Sequence, residues 1–503
     1  MRWFLPGILI AAGAIRLWGL SDRGLYYYDE GRNHLEATAT LALLTGRPGV
    51  AEYIQIRDGR PAANLSTAAL LAVHDSPDAI LYLAAAWGTV TVWLVASIAA
   101  RLWGPREGLI AAAALAVSPY HAVYSRCGLV DAALAALAAA ALLALLRGRE
   151  ANGGGRATAW VFAAGLAVGL GLGHSVRAIP IACCTVAAAV FLGLRTPRLL
   201  GALGAGMILP PAAFEMLQRH WASGLGSLAP AVFPFGTFAS QVAGTTRLAA
   251  GFGFTPSSLA ALPGYFLPLE GPVGVAWALA ALAVSLGRAP SRREAAVHVF
   301  WWAPFAFYGV YAGIAHRFLL AAFPFLALAK ARALGLGLDR LRGRRRDAAV
   351  ATAILLAASL PWLARLREDR SPYLEVLRRS GRPDLPHLST NPPVGAALVG
   401  PSRCAPVPGD EREARELRRA GFRYLVADLQ SGFGGEAATG ERKRALARYE
   451  SRLVPRLSVP YPRIVLELYV LNQNFPWVRQ REALAGLANA HPAVHLYDLK
   501  RRL

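Results

Sequence analysis

The chain has 503 residues, of which 55% are hydrophobic and 17% charged, and its formal net charge is +22. Soluble globular domains carry about 25% charged residues, so this composition excludes an ordinary soluble enzyme. Basic residues in an apolar chain typically mark the cytoplasmic loops of membrane proteins. The composition therefore predicts a polytopic membrane protein that contacts membrane lipid and binds no nucleic acid.

Eleven apolar stretches are predicted as membrane spans, since a spanning helix needs about 20 mostly apolar residues. They cover residues 3–20, 78–100, 107–120, 128–146, 157–173, 176–194, 199–217, 262–286, 295–314, 317–335 and 347–364. Two long loops separate them, at 21–77 and 218–261. The predicted fold class is therefore mostly α, an integral membrane protein with about 11 transmembrane helices.

Charge predicts the orientation of these spans. With a cytoplasmic N-terminus, five short arginine-rich loops fall on the cytoplasmic side, in agreement with the positive-inside rule. The arginines in these loops are Arg101 and Arg106; Arg147, Arg149 and Arg156; Arg195 and Arg198; Arg288, Arg292 and Arg293; and Arg340, Arg342, Arg344, Arg345 and Arg346. We expect a multi-pass protein of the plasma (inner) membrane whose C-terminal part lies outside the cytoplasm.

Residues 365–503 are more charged and form a predicted extracytoplasmic domain, separate from the transmembrane domain of residues 1–364. Short apolar runs predict strands at 396–400, 424–429, 463–471 and 494–499. Helices are predicted at 411–420, 441–453 and 478–490. Strands that alternate with helices are typical of a small α/β domain.

The first long loop carries the adjacent carboxylates Asp29 and Glu30 directly after the first span. Ionisable groups next to a membrane span are candidates for function. The alternative is a solvated acidic pair at the membrane surface. Tyr28, Arg32 and His34 in the same segment are further candidates.

Arginines also stand at the starts of spans on the predicted outer face, where the positive-inside rule disfavours them. A bound anion would explain them, because the guanidinium fork matches phosphate oxygens. The alternatives are a local ion pair at a helix end, snorkelling to lipid headgroups and, for the histidines, simple hydrogen bonding. The candidates are Arg126 with Asp131, His174 with Arg177, and His316 with Arg317.

In this order the segments resemble the GT-C glycosyltransferases of the dolichyl-phosphate-mannose protein mannosyltransferase superfamily, which includes the aminoarabinose transferases of lipid A. The resemblance covers roughly residues 1–335. It is carried by the first span with Asp29-Glu30, by Ser118-Pro119-Tyr120 with Tyr124-Ser125-Arg126 and Asp131, and by His316-Arg317-Phe318-Leu319-Leu320 with Phe323-Pro324-Phe325.

The resemblance implies transfer of a sugar, with inversion, from a polyprenyl-phosphate donor to an acceptor hydroxyl on a protein, lipid or glycan at the extracytoplasmic face. Asp29 would be the general base and Glu30 would orient the acceptor or the loop. Arg126, Arg317, Arg177 and His316 would bind the donor phosphate, and Asp131 would orient Arg126 or contact the sugar. The scheme requires no cofactor, and it allows a divalent metal that the sequence does not indicate. The alternatives are a lipid or solute transporter or flippase, or a non-catalytic relative that acts as a membrane scaffold.

Overall fold

The structure is a computed structural model and describes residues 4–47, 55–56, 60–151, 154–251, 253, 257–310, 315–340, 353, 356–428, 453–471, 482, 486 and 492–499. Most of these residues are helical, which confirms the predicted fold class. Before residue 365 the helices are α1 (Phe4–Leu17), α2 (Leu20–Arg23), α3 (Tyr28–Leu44), α4 (Pro61–Leu71), α5 (Ala79–Trp103), α6 (Pro105–Ala116), α7 (Pro119–Tyr124), α8 (Asp131–Glu150), α9 (Gly154–His174), α10 (Ala178–Phe191), α11 (Pro197–Leu225), α12 (Ala229–Val232), α13 (Phe238–Ala250), α14 (Ser257–Leu286), α15 (Arg292–Val310), α16 (Phe323–Arg340) and α17 (Leu360–Ala364).

Proline sets several of these helix starts. Helices α4, α6, α7 and α11 each begin at a proline, whose fixed φ suits the first turn and whose missing N–H would have no helical partner there. The described residues up to 368 also form three 3-10 segments: Gly226–Leu228, His316–Ala322 and, at the start of the C-terminal part, Arg365–Glu368. The second of them leads directly into α16.

Seven stretches of the described residues are long and apolar enough to cross a membrane. They are Phe4–Arg23, Ala79–Trp103, Asp131–Glu150, Gly154–His174, Pro197–Val232, Phe266–Leu286 and His316–Arg340. Each of the first ten predicted spans coincides with a described helix, although α6 and α10 have only 12 and 14 residues. Much of the eleventh, 347–364, lies outside the described residues, so the count of eleven stays a prediction.

Helix α8 lies at the centre of the bundle. Apolar side chains cover all its faces, and 89% of the residues in its most apolar stretch are buried. A helix that is hydrophobic all round is stable only when it is surrounded. Helices α5, α9 and α10 pack directly against it. The first residue of α8, Asp131, is therefore held at one end of a rigid, central element.

The described residues of the C-terminal domain, which we define as residues 365–503, contain a five-stranded sheet. Its strands are β1 (His387–Ser389), β2 (Cys404–Pro406), β3 (Tyr424–Ala427), β4 (Leu457–Pro460) and β5 (Ala493–Asp498), in the order β2-β1-β3-β5-β4. β1 pairs in parallel with β2 and β3, and β5 runs antiparallel to β3 and β4. Its helices are α18 (Pro372–Arg379), α19 (Pro392–Val399), α20 (Glu411–Arg419) and α21 (Arg463–Leu471), with a 3-10 turn at Pro401–Arg403. The predicted α/β class of this domain is confirmed.

Two predicted strands are wrong. Residues 396–400 lie mainly in α19, which starts at the proline pair 392–393, and 463–471 form α21. In α21 the buried side chains Ile464, Val465, Leu468 and Tyr469 recur with a helical period, which the content of β-branched and aromatic residues obscured. The strand at 424–429 and the one at 494–499 are confirmed, as is the helix at 411–420. The helices predicted at 441–453 and 478–490 lie almost wholly outside the described residues.

Candidate active site

Asp29 lies in the first turn of α3 and faces Arg317 from the 3-10 segment before α16. The Nη2 atom of Arg317 is 2.7 Å from Oδ2 of Asp29. The two side chains are 14% and 29% exposed, so the pair is partly open to the surroundings. The structure thus joins two predicted site residues that are 288 positions apart in the sequence.

Asp131 and Arg177 extend this pair into a chain of alternating charges. The Nε atom of Arg317 lies 3.7 Å from Oδ2 of Asp131, and Nη1 of Arg177 donates to Oδ1 of the same carboxylate. The guanidinium of Arg177 also covers the ring of Phe318 at 4.4 Å. The side chain of Asp131 is 3% exposed. Its carboxylate therefore contacts both guanidiniums from the protein interior.

Arg60 adds a third guanidinium next to this cluster, and no sequence motif pointed to it. Its Nη1 donates to Oδ1 of Asn33, one turn after Asp29 on α3, at 2.9 Å. Burial alone would raise the pKa of the Asp29 carboxyl, but Arg317, Arg60 and two further arginines outweigh burial and hold this pKa below its usual value. Asp29 is therefore ionised at neutral pH. We call Asp29, Arg60, Asp131, Arg177 and Arg317 the charged cluster.

His316 positions Arg317 and is not itself at the surface of the cluster. Its Nδ1 is 2.8 Å from the hydroxyl of Tyr124, and its backbone carbonyl accepts a hydrogen bond from the hydroxyl of Tyr120. Tyr120 stacks on Phe323 with 4.0 Å between ring centroids. Residues 118–125, which carry part of the family resemblance, thus hold the 3-10 segment His316–Ala322 in place through Tyr120 and Tyr124.

Glu30 points away from the charged cluster. Its side chain is 0% exposed and pairs with Arg23 at 2.8 Å. Its oxygens also accept hydrogen bonds from the backbone N–H groups of Tyr26, Tyr27 and Gly128, at 3.0, 3.1 and 2.9 Å. Of the two roles predicted for Glu30, this geometry supports orientation of the loop and leaves no oxygen to orient an acceptor.

Arg126 is a structural residue, contrary to its predicted place at the donor phosphate. It is 1% exposed, and its Nη1 donates to the backbone oxygens of Ile15, Arg16 and Trp18 at 3.4, 3.2 and 2.7 Å. These carbonyls end α1, where a helix leaves its last acceptors without helical donors. Its Nε reaches Asp369 at 3.4 Å. Asp131 consequently aligns Arg177 and Arg317 and does not orient Arg126.

The remaining candidates are Tyr28, Arg32 and His34 on α3 and His174 at the end of α9. Tyr28 begins α3 and is half-buried, while Nε of Arg32 contacts Glu36 at 3.2 Å. His34 is buried, which lowers its pKa to about 4 and keeps the imidazole neutral. His174 lines a cavity of about 20 Å³, which has room for about one water molecule.

Metal ligands do not cluster in the part of the chain that the structure describes: it brings no three His, Cys, Asp or Glu side chains into a metal-binding arrangement. In the charged cluster, three guanidiniums surround two carboxylates. This donor set suits an anion and would repel a divalent cation. That the reaction requires no metal stays a prediction.

The family comparison matches part of the chain. Residues 60–209 match the family model described as dolichyl-phosphate-mannose-protein mannosyltransferase. This range includes Arg60, Asp131 and Arg177 of the charged cluster but neither Asp29 nor Arg317. No curated protein sequence matches the chain.

The fold is similar to solved membrane-protein structures over most of its length. For the archaeal oligosaccharyltransferase AglB from Archaeoglobus fulgidus the TM-score is 0.57 at 13% identity, covering 91% of this chain and 73% of that one. For ArnT from Cupriavidus metallidurans bound to undecaprenyl phosphate it is 0.58 at 13% identity, covering 99% and 98%. For ArnT in the apo state it is 0.55 at 16% identity, covering 87% and 94%.

At these identities the structural likeness shows the fold alone. The family match adds a sequence signature over the central helices. Together they show an integral membrane protein with the fold of these structures, and they agree with the predicted resemblance, since residues 60–209 are similar to the dolichyl-phosphate-mannose-protein mannosyltransferases.

Proposed function

We propose that the chain transfers a sugar from a polyprenyl-phosphate donor to an acceptor hydroxyl, with inversion, at the extracytoplasmic face of the membrane. The observation that carries the proposal is the chain of ion pairs from Asp29 through Arg317 and Asp131 to Arg177. It offers a partly exposed carboxylate next to guanidiniums held in fixed positions. Among the compared structures, AglB is in complex with a dolichol-phosphate and ArnT is bound to undecaprenyl phosphate, which supports this class of donor.

In the proposed reaction the acceptor oxygen attacks the anomeric carbon as the bond from that carbon to the phosphate oxygen breaks. The phosphate leaves with the bonding electrons, and Arg317 and Arg177 stabilise the charge that develops on it. A phosphate is already a good leaving group, so the scheme needs no second carboxylic acid of the kind glycosidases use. The acceptor proton goes to Asp29.

Donor binding also prepares the base in this scheme. In the absence of donor, Arg317 pairs with Asp29 and holds the pKa of this carboxyl low. A phosphate that engages Arg317 weakens this pair, and the pKa of Asp29 then rises. The carboxylate therefore becomes a stronger base when the donor is in place. The guanidiniums of Arg317 and Arg177 then bind the phosphate that leaves.

A cavity of about 200 Å³ lies between α14, α15 and α16; its lining is apolar apart from the ion pair of Lys330 with Glu270, and it suits part of the donor's isoprenoid chain. Its walls include Trp301, Trp302, Phe305 and Phe323. Phe266 contributes to the same wall, and its ring centroid is 5.9 Å from that of His316, the residue before Arg317. A lipid in this cavity would place its headgroup towards the charged cluster.

The experiment is a transfer assay with the full chain in lipid nanodiscs. A panel of polyprenyl-phosphate sugars is offered, and release of polyprenyl phosphate is followed for the wild type, Arg317→Gln and Arg177→Gln. Arg403→Gln is the matched control, because Arg403 forms an exposed pair with Asp384. We expect release by the wild type and the control and about 100-fold slower release by Arg317→Gln. Transbilayer movement of the lipid without release would instead indicate a flippase.

A further inference from the structure

The segment 23–31, which carries Asp29 and Glu30, is held by the C-terminal domain. Hydrogen bonds from this domain reach backbone carbonyls at three successive points of the segment. They are Ser371 N to Arg23 O at 2.6 Å, Ser371 Oγ to Leu25 O at 2.7 Å, Asn391 Nδ2 to Tyr26 O at 3.3 Å and Tyr469 Oη to Tyr26 O at 2.5 Å. The chain entering α3 is therefore fixed by β1–α19, by α21 and by the start of α18.

A buried ion network ties the same two parts together. Arg23 pairs with Glu30 at 2.8 Å and with Asp369 of the C-terminal domain at 3.1 Å, and all three side chains are 0% exposed. Oδ1 of Asp369 also accepts a hydrogen bond from the hydroxyl of Tyr26 at 2.8 Å. Removing one member of a buried network leaves the others uncompensated, and Asp369 supplies a buried counter-charge for Arg23 from the C-terminal domain.

Gly31 brings the backbones of the two parts into direct contact. A Cβ atom at this position would lie 2.5 Å from the carbonyl carbon of Pro393 and 2.5 Å from the nitrogen of Val394. Gly31 is two residues after Asp29 on α3, and α19 packs against this helix. The close approach is possible only because glycine has no side chain.

These contacts bracket Asp29 on both sides, at Tyr26 and at Gly31. A displacement of about 1 Å between reacting groups can lower a rate about 100-fold. We propose that the C-terminal domain is a positioning element of the active site: Asp369, Asn391 and Tyr469, with the contact at Gly31, fix the segment 23–31 so that Asp29 meets Arg317 and the acceptor. This rests on the proposed function only in that Asp29 is taken as the catalytic base.

Two substitutions test the proposal in the full chain. Tyr469→Phe removes the hydrogen bond to Tyr26 but keeps the ring, and Gly31→Ala forces α3 and α19 apart. The matched controls are Tyr424→Phe, a buried tyrosine on β3 of the same domain, and Gly201→Ala, a helical glycine with no atom within 4 Å of its Cβ position. The rings of Tyr26 and Tyr27 pack against the ring of Tyr469 in tilted arrangements, with centroids 6.1 and 5.5 Å away, so the ring of Phe keeps this packing.

Two readouts are taken. Hydrogen exchange of the amides in 25–36 is followed by mass spectrometry, and it reports on the segment whether or not the chain is active. We expect exchange about fivefold faster in both test variants and unchanged in both controls. Steady-state release of polyprenyl phosphate should show kcat lowered about tenfold or more, with an unchanged KM for the donor. Because Asp29 would move away from Arg317 in the free enzyme, its pKa should rise and the acidic limb of the kcat/KM profile should move to higher pH.

Each result has one meaning. Exchange in 25–36 that matches the controls would overturn the proposal, and so would faster exchange together with wild-type kcat. If the wild-type chain consumes no donor, the proposed function is what fails. The exchange result then decides alone whether the C-terminal domain holds the segment. A thermal melt of each variant distinguishes this local effect from global unfolding.

Discussion

The guanidinium of Arg317 lies 2.7 Å from the carboxylate of Asp29 and joins the start of α3 to the segment before α16. The same guanidinium reaches Asp131 at the start of the central helix α8. Arg317 is thus the residue that connects the proposed base to the rigid centre of the bundle. Its loss should affect both the charge of the site and its geometry.

The first prediction concerns the pH dependence of activity. Arg317 lowers the pKa of Asp29, so the ionised base persists to a lower pH than an ordinary carboxylate would allow. In Arg317→Gln this pKa should rise, and kcat/KM should begin to fall at a higher pH as the solution is acidified. Arg317→Lys keeps the charge but loses the planar fork of donors. The acidic limb of its kcat/KM profile should therefore stay closer to that of the wild type. Identical profiles for the Gln variant and the wild type would show that Arg317 does not act on the base.

The second prediction separates Arg126 from Arg177. Arg126→Gln removes donors to the end of α1 and should lower the free energy of unfolding by about 2 kcal/mol, with an unchanged KM for the donor. Arg177→Gln should do the reverse, with a KM about tenfold higher and a smaller loss of stability. Thermal melts and donor titrations of the two variants are the measurements. A raised KM in Arg126→Gln alone would restore the role that the sequence suggested for this residue.

The third prediction concerns Glu30. Glu30→Gln leaves Arg23 with only Asp369 as a counter-charge in a fully buried network and should cost about 3 kcal/mol of stability. Glu375→Gln is the control, because Glu375 forms an exposed pair with Arg379 and should change stability by less than about 1 kcal/mol. Thermal unfolding in detergent compares the two. Equal melting temperatures would mean that the Arg23 network does not stabilise the fold.

The fourth prediction concerns the C-terminal domain at low pH. Burial lowers the pKa of His387 to about 4, below the ordinary value of about 6.5. As the pH falls from 6.5 to 4, the unfolded chain binds a proton at this site that the folded chain does not, so stability is lost. At pH 5 this loss is about 2 kcal/mol. The imidazole lies between the hydroxyl of Tyr373 and the carbonyl of Leu385, at 2.7 Å from each.

His387→Gln offers an amide to both partners and does not titrate. Its melting temperature should therefore fall less than that of the wild type between pH 7 and pH 5, as measured by circular dichroism. His34, whose burial lowers its pKa in the same way, is present in both proteins and cancels in the comparison. A parallel fall of the two melting temperatures would mean that His387 is not the group that titrates.

Much of the membrane part could be predicted from the sequence, because apolar length alone selects spanning helices. The partners of the arginines could not. Arg126 and Arg317 look alike in the sequence, since both follow aromatic or polar residues at a span boundary. Only the three-dimensional packing shows that the first binds helix carbonyls and the second faces Asp29. Arg16 stands in the first apolar run, yet it is buried and contacts His121 at 2.7 Å.

The contacts of the C-terminal domain were equally hidden from the sequence. Asp369 follows the last apolar stretch with no motif around it, yet it completes the ion network of Arg23, 346 residues earlier in the chain. Gly31 reads as an ordinary residue of a polar helix until α19 is seen against it. Long-range pairs of this kind depend on the fold as a whole, and sequence periodicity does not record them.

The most direct test of the account is donor turnover by Asp29→Asn. The variant keeps the shape of the side chain but removes its charge, so the chain should fold and insert normally. Release of polyprenyl phosphate from the donor that the wild type consumes should fall at least about 100-fold, while Asp75→Asn, an exposed aspartate on the same loop, should release it at the wild-type rate. Wild-type turnover by Asp29→Asn would contradict the assignment of Asp29 as the base.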